Sequence, residues 1–185
     1  MMRIITGKAK GIRLKTLDGD STRPTAERVK EAVFSMLQGD MDNREVLDLF
    51  AGSGQMGLEA VSRGAAHATM IDNSPFAIKV ISENAQKTKL DQYCTIKKDE
   101  ALSFLRFSKS KKYDIIFLDP PYSANLYRPS LEAMLRYDVL KNTSIIVCES
   151  DTEDIFESDE MLSSSFDVIK HSRYGRIFIT ILSLR

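Results

Sequence analysis

The sequence predicts an α/β protein built on a doubly wound, mostly parallel seven-stranded sheet. An antiparallel hairpin ends the chain, and a small N-terminal β-hairpin arm precedes the sheet. Three observations carry this expectation. From Glu45 onward, short apolar runs alternate with amphipathic helical stretches. Gly52, Gly54 and Gly57 follow the first run with G-x-G-x-x-G spacing. The last stretch, "FDVIKHSRYGRIFITILSL", is two β-rich halves around Tyr174-Gly175.

The opening "RIITGKAKGIRLKTLDG" reads as two short strands around Gly7 and Gly11. In "STRPTAERVKEAVFSMLQGD", Pro24 and Thr25 start a helix whose apolar stripe (Val29, Val33, Met36, Leu37) stops at Gly39. "EVLDLF" is the first strand of the main sheet, and the helix after the glycines runs to about Arg63. "HATMID" is the next strand, followed by a helix from Pro75 to about Thr88. "YCTIKK" gives a strand and "DEALSFLRF" a short helix. "KYDIIFLD" is the most apolar strand, and "SIIVCES" follows a helix near Leu131 to Leu135. The acidic "ESDTEDIFESDE", Glu149 to Glu160, reads as a solvated loop and helix and not as a metal site, because its carboxylates lack strand-end spacing. His67 and His171 have no matching ligands nearby, so no metal is expected.

A chain of 185 residues is long enough to bury a core without disulfides. Its 26 basic and 26 acidic residues cancel, but unevenly. Residues 1–30 carry +5 and the remainder −5. A basic arm on an acidic body suits a polyanion, and a solvated charged hairpin is the competing account. Cys94 and Cys148 lie in apolar stretches without C-x-x-C spacing, which fits two buried thiols in a reducing compartment. There is no apolar signal core or membrane-length run, so a cytoplasmic protein is expected.

Ligands of doubly wound sheets bind beyond the carboxyl ends of the strands. The glycine loop lies there, with Leu58-Glu59 where a P-loop needs Lys and Ser or Thr. Asp72 ends the next strand 18 residues after Gly54, where an acid meets ribose hydroxyls. Asp48, four residues before Gly52, would repel a dinucleotide pyrophosphate. It suits the cationic amino-acid end of S-adenosyl-L-methionine instead. Its apolar neighbours disfavour the alternative of a helix or turn cap. Downstream, four apolar residues deliver Asp119 to the same sheet edge. Pro120 and Pro121 stiffen the exit and present Tyr122 beside the carboxylate.

"DPPY" resembles the (D/N)-P-P-(Y/F) signature of methyltransferases that modify exocyclic amino groups of bases. "DLFAGSGQMGLEAVSRGA" looks like their cofactor loop. "STRPTAERVKEAVFSML", with "IITGKAKGIRLKT" and "YGRIFITIL", resembles the bacterial 16S ribosomal RNA guanine-N2 methyltransferases that modify guanine-966. Gln55-Met56 and Asp72 depart from the residues commonest in that family.

The resemblance implies a Rossmann-like class I methyltransferase sheet, with S-adenosyl-L-methionine as cofactor and 16S rRNA or the small ribosomal subunit as substrate. It implies that Asp119 and the Pro120 carbonyl hold the target amine and Tyr122 stacks on the base. Asp99 would meet the adenine amine or else cap the following helix. Phe50, Ser53, Asn73, Glu100 and Ala101 complete the expected cofactor contacts. Lys8, Lys10, Arg13, Arg23, Thr25 and Arg28 are the expected RNA contacts, with packing of their helix on the sheet as a competing role. Residues 1–40 would form this RNA-contacting extension and residues 41–185 the catalytic unit, acting as a monomer. The rival readings are a DNA adenine-N6 methyltransferase, a nicotinamide oxidoreductase and a non-enzymatic RNA-binding protein.

Overall fold

A computed structural model describes residues 2–17, 24–37, 39, 41–108, 111–156 and 158–185. The strands are β1 (Glu45–Asp48), β2 (His67–Asp72), β3 (Cys94–Lys98), β4 (Tyr113–Leu118), β5 (Leu140–Ser150), β6 (Phe166–Tyr174) and β7 (Ile177–Leu184). The helices are α1 (Pro24–Met36), α2 (Gln55–Ser62), α3 (Pro75–Thr88), α4 (Ala101–Phe107), α5 (Tyr127–Arg136) and α6 (Glu160–Ser164). The seven strands form one sheet in the order β3-β2-β1-β4-β5-β7-β6. The first five run parallel, and β7 lies antiparallel between β5 and β6. The expected sheet is therefore the observed one.

Strand periodicity sorts the core onto two faces. Val46, Met70, Ile115, Phe117, Val147 and Ile179 meet Val33 and Phe34 of α1, Leu58 of α2 and Ile81 of α3. Their chain neighbours Leu47, Ile71, Ile116, Leu118 and Ile146 meet Leu105 of α4, Met134 of α5 and Leu162 of α6. Burial on both faces explains why β4 is apolar at nearly every position instead of alternating. Strand order reverses between β1 and β4. Chain connections leave in opposite directions there, which opens a crevice at the carboxyl edge.

The N-terminal segment makes the expected hairpin in a short form. Around an antiparallel Arg3–Arg13 bridge, the Leu14 N–H donates to the Met2 carbonyl at 2.9 Å, the Ile4 N–H to the Ile12 carbonyl at 2.9 Å and the Gly11 N–H to the Ile4 carbonyl at 2.8 Å. Other backbone groups of the segment go to α2 instead. Glu59, fully buried, accepts the N–H groups of Ile5 at 2.7 Å and Thr6 at 3.0 Å. Arg63 Nε donates to Glu59 at 2.8 Å, and the Lys30 ammonium lies 3.7 Å from it. Ser62 Oγ accepts the Ala9 N–H at 3.0 Å and donates to the Thr6 carbonyl at 2.6 Å. With Ile4, Ala9 and Leu14 buried in the same core face, the segment is fastened to the sheet domain and does not project as a free arm.

Two further expectations shift. Cys148 is buried as anticipated, but Cys94 is only partly so. Burial pushes the Cys94 thiol up to about 12 and Cys148 higher still, so both are unreactive thiols. The acidic tract is largely cap chemistry. Asp154 accepts the N–H groups of Phe156 and Ser158 at 2.9 and 2.8 Å, and Asp159 caps α6 through the Leu162 N–H at 2.8 Å. His67 and His171 each pair with a threonine hydroxyl, of Thr95 and Thr180.

Candidate active site

The crevice at the strand-order reversal is a cleft of about 700 Å³. That volume is within the range of small-molecule sites. β1 delivers Asp48 to it, and the chain then crosses the sheet edge. The Leu49 N–H donates to the Phe117 carbonyl at 3.2 Å and the Ala51 N–H to the Ile71 carbonyl at 2.8 Å. Those two bonds fix the glycine loop between β4 and β2. Gly52 has φ +53°, and a Cβ there would project into open space, so backbone alone faces the cleft. Gly54, at φ +78°, is the residue from which α2 starts. At Gly57 the constraint is steric, because a Cβ would lie 2.7 Å from Met70 Cγ. Gly54 and Gly57 thus shape the turn, while Gly52 and Ser53 line the cleft. Asn84 of α3 ties this loop to the N-terminal segment. Its amide donates to the carbonyls of Ser53 and Lys15, and its Oδ1 accepts the Lys15 N–H.

Two acids bracket the loop. Asp72 Oδ2 accepts the Gly52 N–H at 2.9 Å, and Oδ1 accepts the Ser74 N–H at the same distance. Asp48 is buried, and its Oδ2 accepts the Gly57 N–H at 3.0 Å. Asp48 is therefore a cap of the α2 first turn, the role its apolar neighbours disfavour, and it lines the cleft as well. The two roles reinforce each other. A carboxylate already occupies the helix N-terminus where a dinucleotide pyrophosphate would dock. Burial pushes the Asp48 carboxyl up to about 7 against the opposing Gly57 hydrogen bond, with Asp72 adding to the rise. An acid so placed gains from a cationic ligand group.

Asp99, Glu100 and Ala101 lie along the same cleft. The Lys97 ammonium, 2.9 Å from Asp99, holds that carboxyl below the usual range. α4 begins from Glu100 without a side-chain cap, and Asp99 accepts the Glu100 N–H itself at 3.0 Å. Asp99 is thus not the N-cap of α4. Asn73 reaches across from the end of β2 to Glu100 Oε1 at 3.2 Å. Phe50, Asn73, Asp119, Pro120, Pro121 and Tyr122 also line the cleft, which brings the cofactor-side and target-side residues into one cavity.

After β4, Pro120 is buried while Asp119, Pro121 and Tyr122 are exposed. Tyr122 opens a 3-10 turn through Ala124, whose N–H donates to the Pro121 carbonyl at 2.9 Å. Tyr122 keeps 42% of its surface exposed, enough to offer a stacking face. Burial of the hydroxyl and the nearby carboxylates of Asp119, Glu149 and Asp151 raise its pKa. Tyr127 Oη donates to the Glu149 carbonyl and pins α5 to the end of β5. Glu149, the first acid of the tract read as a solvated loop, instead lies at the end of β5, half-buried, and lines the cleft. It ends an apolar run as Asp72 and Asp119 do, and that shared pattern could have found it.

The expected RNA contacts scatter. Lys8 and Lys10 sit by the C-terminal end of α2, away from the glycine loop. The Lys8 N–H reaches the Ser62 carbonyl, and its ammonium covers the Tyr93 ring at 5.3 Å. Arg13 and Arg28 are exposed. Arg23 and the side chain of Thr25 lie outside the described residues. Met2, Leu17, Lys30 and Val33 form the wall of the cleft on the N-terminal side. Among the described residues, no group of three or more His, Cys, Asp or Glu could hold a metal ion, and no helix is long and apolar enough to cross a membrane.

A parallel sheet with an antiparallel end pair, a glycine loop after β1 and acid-tipped strands around one cleft define the Rossmann-like methyltransferase class. Within that class, the chain belongs to the family described as "Conserved hypothetical protein 95", which it matches over residues 2–183. It is 37% identical over 154 residues to "Putative rRNA methyltransferase YlbH" of Bacillus subtilis, covering 82% of this chain and 84% of that one. It is 34% identical over 152 residues to "Ribosomal RNA small subunit methyltransferase D" of Escherichia coli, covering 82% and 76%. The solved structure of "Putative methyltransferase yhhF from Escherichia coli" superposes with a TM-score of 0.84 at 27% identity, covering 100% of this chain and 98% of that one.

Proposed function

We propose that this protein transfers a methyl group from S-adenosyl-L-methionine to the exocyclic N2 amine of a guanine in 16S ribosomal RNA, guanine-966 by family resemblance. One observation carries the reading. The Asp119-Pro120-Pro121-Tyr122 turn opens into the same cleft as the glycine loop and its two acids. Relatives named as ribosomal RNA methyltransferases support the substrate class.

The donor supplies an electrophilic methyl carbon on a sulfonium. Asp48 gives its cationic amino-acid end a negative wall, Asp72 meets its ribose hydroxyls, Gly52 gives it bare backbone, and Asp99 and Glu100 border its adenosine end. The guanine amine is a poor nucleophile, because its lone pair is delocalised into the ring. Asp119 and the Pro120 carbonyl accept the amine hydrogens and orient the lone pair at the methyl carbon. As the N–C bond forms, the C–S bond breaks and its electron pair stays on sulfur. The positive charge then appearing on nitrogen is stabilised by Asp119 until the proton passes to solvent water. Positioning and electrostatics carry the rate, and no strong base is required.

Tyr122 stacks on the target base after it leaves its neighbours. Unstacking costs a few kcal/mol, and an aromatic platform returns about 1–3 kcal/mol. A single-stranded loop nucleotide is therefore a better target than a paired one. The protein acts in this reading as a monomer, with the N-terminal forty or so residues extending the RNA surface. The test is transfer of labelled methyl groups to naked 16S RNA, assembled small subunits and DNA in parallel. Label in the N2 position of one guanine of 16S RNA is the expected result, and label confined to adenine in DNA would replace this reading with its rival.

A further inference from the structure

Glu149 has no part in the chemistry above, yet it stands beside it. β4 and β5 are parallel, with Phe117 opposite Val147 and Leu118 opposite Cys148. The next residues of the two strands are Asp119 and Glu149. They leave neighbouring strand ends, which lie about 4.8 Å apart in a sheet. By strand alternation they belong to the face of Phe117 and Val147, and all four line the cleft. The Glu149 main chain is fixed on two sides. Tyr127 Oη donates to its carbonyl, and it pairs with Ile179 of β7 in the antiparallel register. Among the described residues its carboxyl makes no hydrogen bond or ion pair. Burial pushes that carboxyl up to about 7.

An amine that donates two hydrogens does not need a second acid of this kind for alignment. A guanine, however, carries a further donor next to its N2 amine, the N1–H of the Watson–Crick edge. Adenine has an acceptor at N1 instead. Enzymes that take a base out of its stack read it through that edge. We propose that Glu149 is the residue that selects guanine, its carboxylate accepting the N1–H of the base whose N2 amine is held by the adjacent Asp119. This inference rests on the methyl-transfer reading and adds the determinant of base identity. A site built around such a hydrogen bond rejects an analogue that lacks it, because a buried acceptor is left unpaired.

The experiment compares RNA carrying guanine with RNA carrying 2-aminopurine at the target position. 2-Aminopurine keeps the amine but has an unprotonated N1. Relative kcat/KM is measured for the native protein, Glu149→Gln and Glu149→Ala. The native protein is expected to favour guanine by roughly 10–100-fold, the loss typical of an unpaired buried group. Glu149→Gln is expected to abolish or invert that preference, since its amide N–H donates to N1 of 2-aminopurine. Glu149→Ala is expected to lose guanine activity without gaining 2-aminopurine activity. Unchanged affinity for S-adenosylhomocysteine verifies that each variant is folded. A guanine preference in Glu149→Gln equal to that of the native protein would overturn the assignment. Failure of the native protein to methylate the guanine RNA would instead overturn the methyl-transfer reading, and this inference with it.

Discussion

Asp48 and Gly57 are joined across the head of α2, with the carboxylate Oδ2 accepting the backbone N–H at 3.0 Å. The bond satisfies one of the donors that every helix leaves open at its start. It also places a buried acid at the floor of a cleft, with a second acid, Asp72, close enough to oppose its ionisation.

From this follows a pH dependence of cofactor binding. The Asp48 carboxyl titrates at about 7 in the ligand-free protein, and only its ionised form attracts a cation. Affinity for S-adenosyl-L-methionine should therefore rise between about pH 6 and pH 7.5 and level off above, the bound cation lowering the Asp48 pKa. In Asp48→Asn the affinity is expected to be weaker and flat over that window. Calorimetric titration of both proteins tests it, and an equal rise in the variant would detach the pH dependence from Asp48.

The same shift predicts a stability cost. An unfolded Asp titrates near 3.8, so between there and about 7 the folded chain binds more protons at Asp48 than the unfolded chain does. Stability from this group is therefore lost as pH rises through that window. Asp48→Asn removes the penalty and loses only a charged acceptor for Gly57. The variant without ligand should melt higher than the native protein at about pH 8 and show a smaller difference at about pH 5. At this chain length, each kcal/mol moves the Tm by about 2–4 °C. Thermal melts at the two pH values decide it.

Much of this site was legible because strand endings carry their own signal. Asp72 and Asp119 each interrupt an apolar run at the point where a parallel strand must stop, and each proved to line the cleft. The same pattern holds at Glu149, which the run of acids after it disguises as the start of a solvated loop. Glu59 is a different case. It lies in a helix of ordinary composition, where a glutamate normally faces water, and nothing nearby in sequence marks it as buried. Its partners, the N–H groups of Ile5 and Thr6, are more than fifty residues away. Pairing between such distant segments leaves no local periodicity, so the hairpin is legible in the sequence and its fastening to α2 is not. The capping role of Asp48 is hidden likewise, since its partner Gly57 is nine residues on and across a turn.

Glu59 is expected to be the main fastening of the N-terminal segment. It is fully buried and receives two backbone N–H groups, Arg63 and the nearby Lys30. Burial lowers the Lys30 pKa while Glu59 acts to raise it, so removing Glu59 leaves a buried ammonium bonded to the Arg3 carbonyl but without its main counter-charge. Glu59→Ala should cost about 3–5 kcal/mol in urea denaturation, as other broken buried ion pairs do. Limited proteolysis should then cut within residues 2–17 at a protease level that spares the native chain. Destabilisation without new cleavage there would mean that the hydrophobic contacts of Ile4, Ala9 and Leu14 suffice to hold the segment.

Asp119→Ala is expected to abolish methyl transfer while S-adenosyl-L-methionine affinity barely changes. The residue follows β4, whereas the glycine loop proposed to receive the cofactor is held by the acids that end β1 and β2. Single-turnover assays paired with calorimetric titration separate the two effects. Equal loss of both would point to a folding defect and remove the support for a catalytic role.

The placement of the basic residues gives a last expectation, about which of them meet RNA. Lys8 and Lys10 lie by the C-terminal end of α2, an eight-residue helix whose other end is the glycine loop. At 1.5 Å per residue that separates them from the loop by about 12 Å along the helix. Arg28 belongs to the first half of α1, the helix whose Lys30 and Val33 wall the cleft, and Arg23 directly precedes that helix in sequence. Phosphates flanking a base inserted beside Asp119 are thus expected to be met by Arg23 and Arg28 before Lys8 and Lys10. Arg23→Ala and Arg28→Ala should each weaken RNA binding and reduce the slope of log affinity against log salt by about 0.7–0.9 per phosphate no longer neutralised. Lys10→Ala should leave the slope unchanged. Binding isotherms at several salt concentrations read both outcomes, and an unaltered slope in the two arginine variants would move the RNA path away from α1.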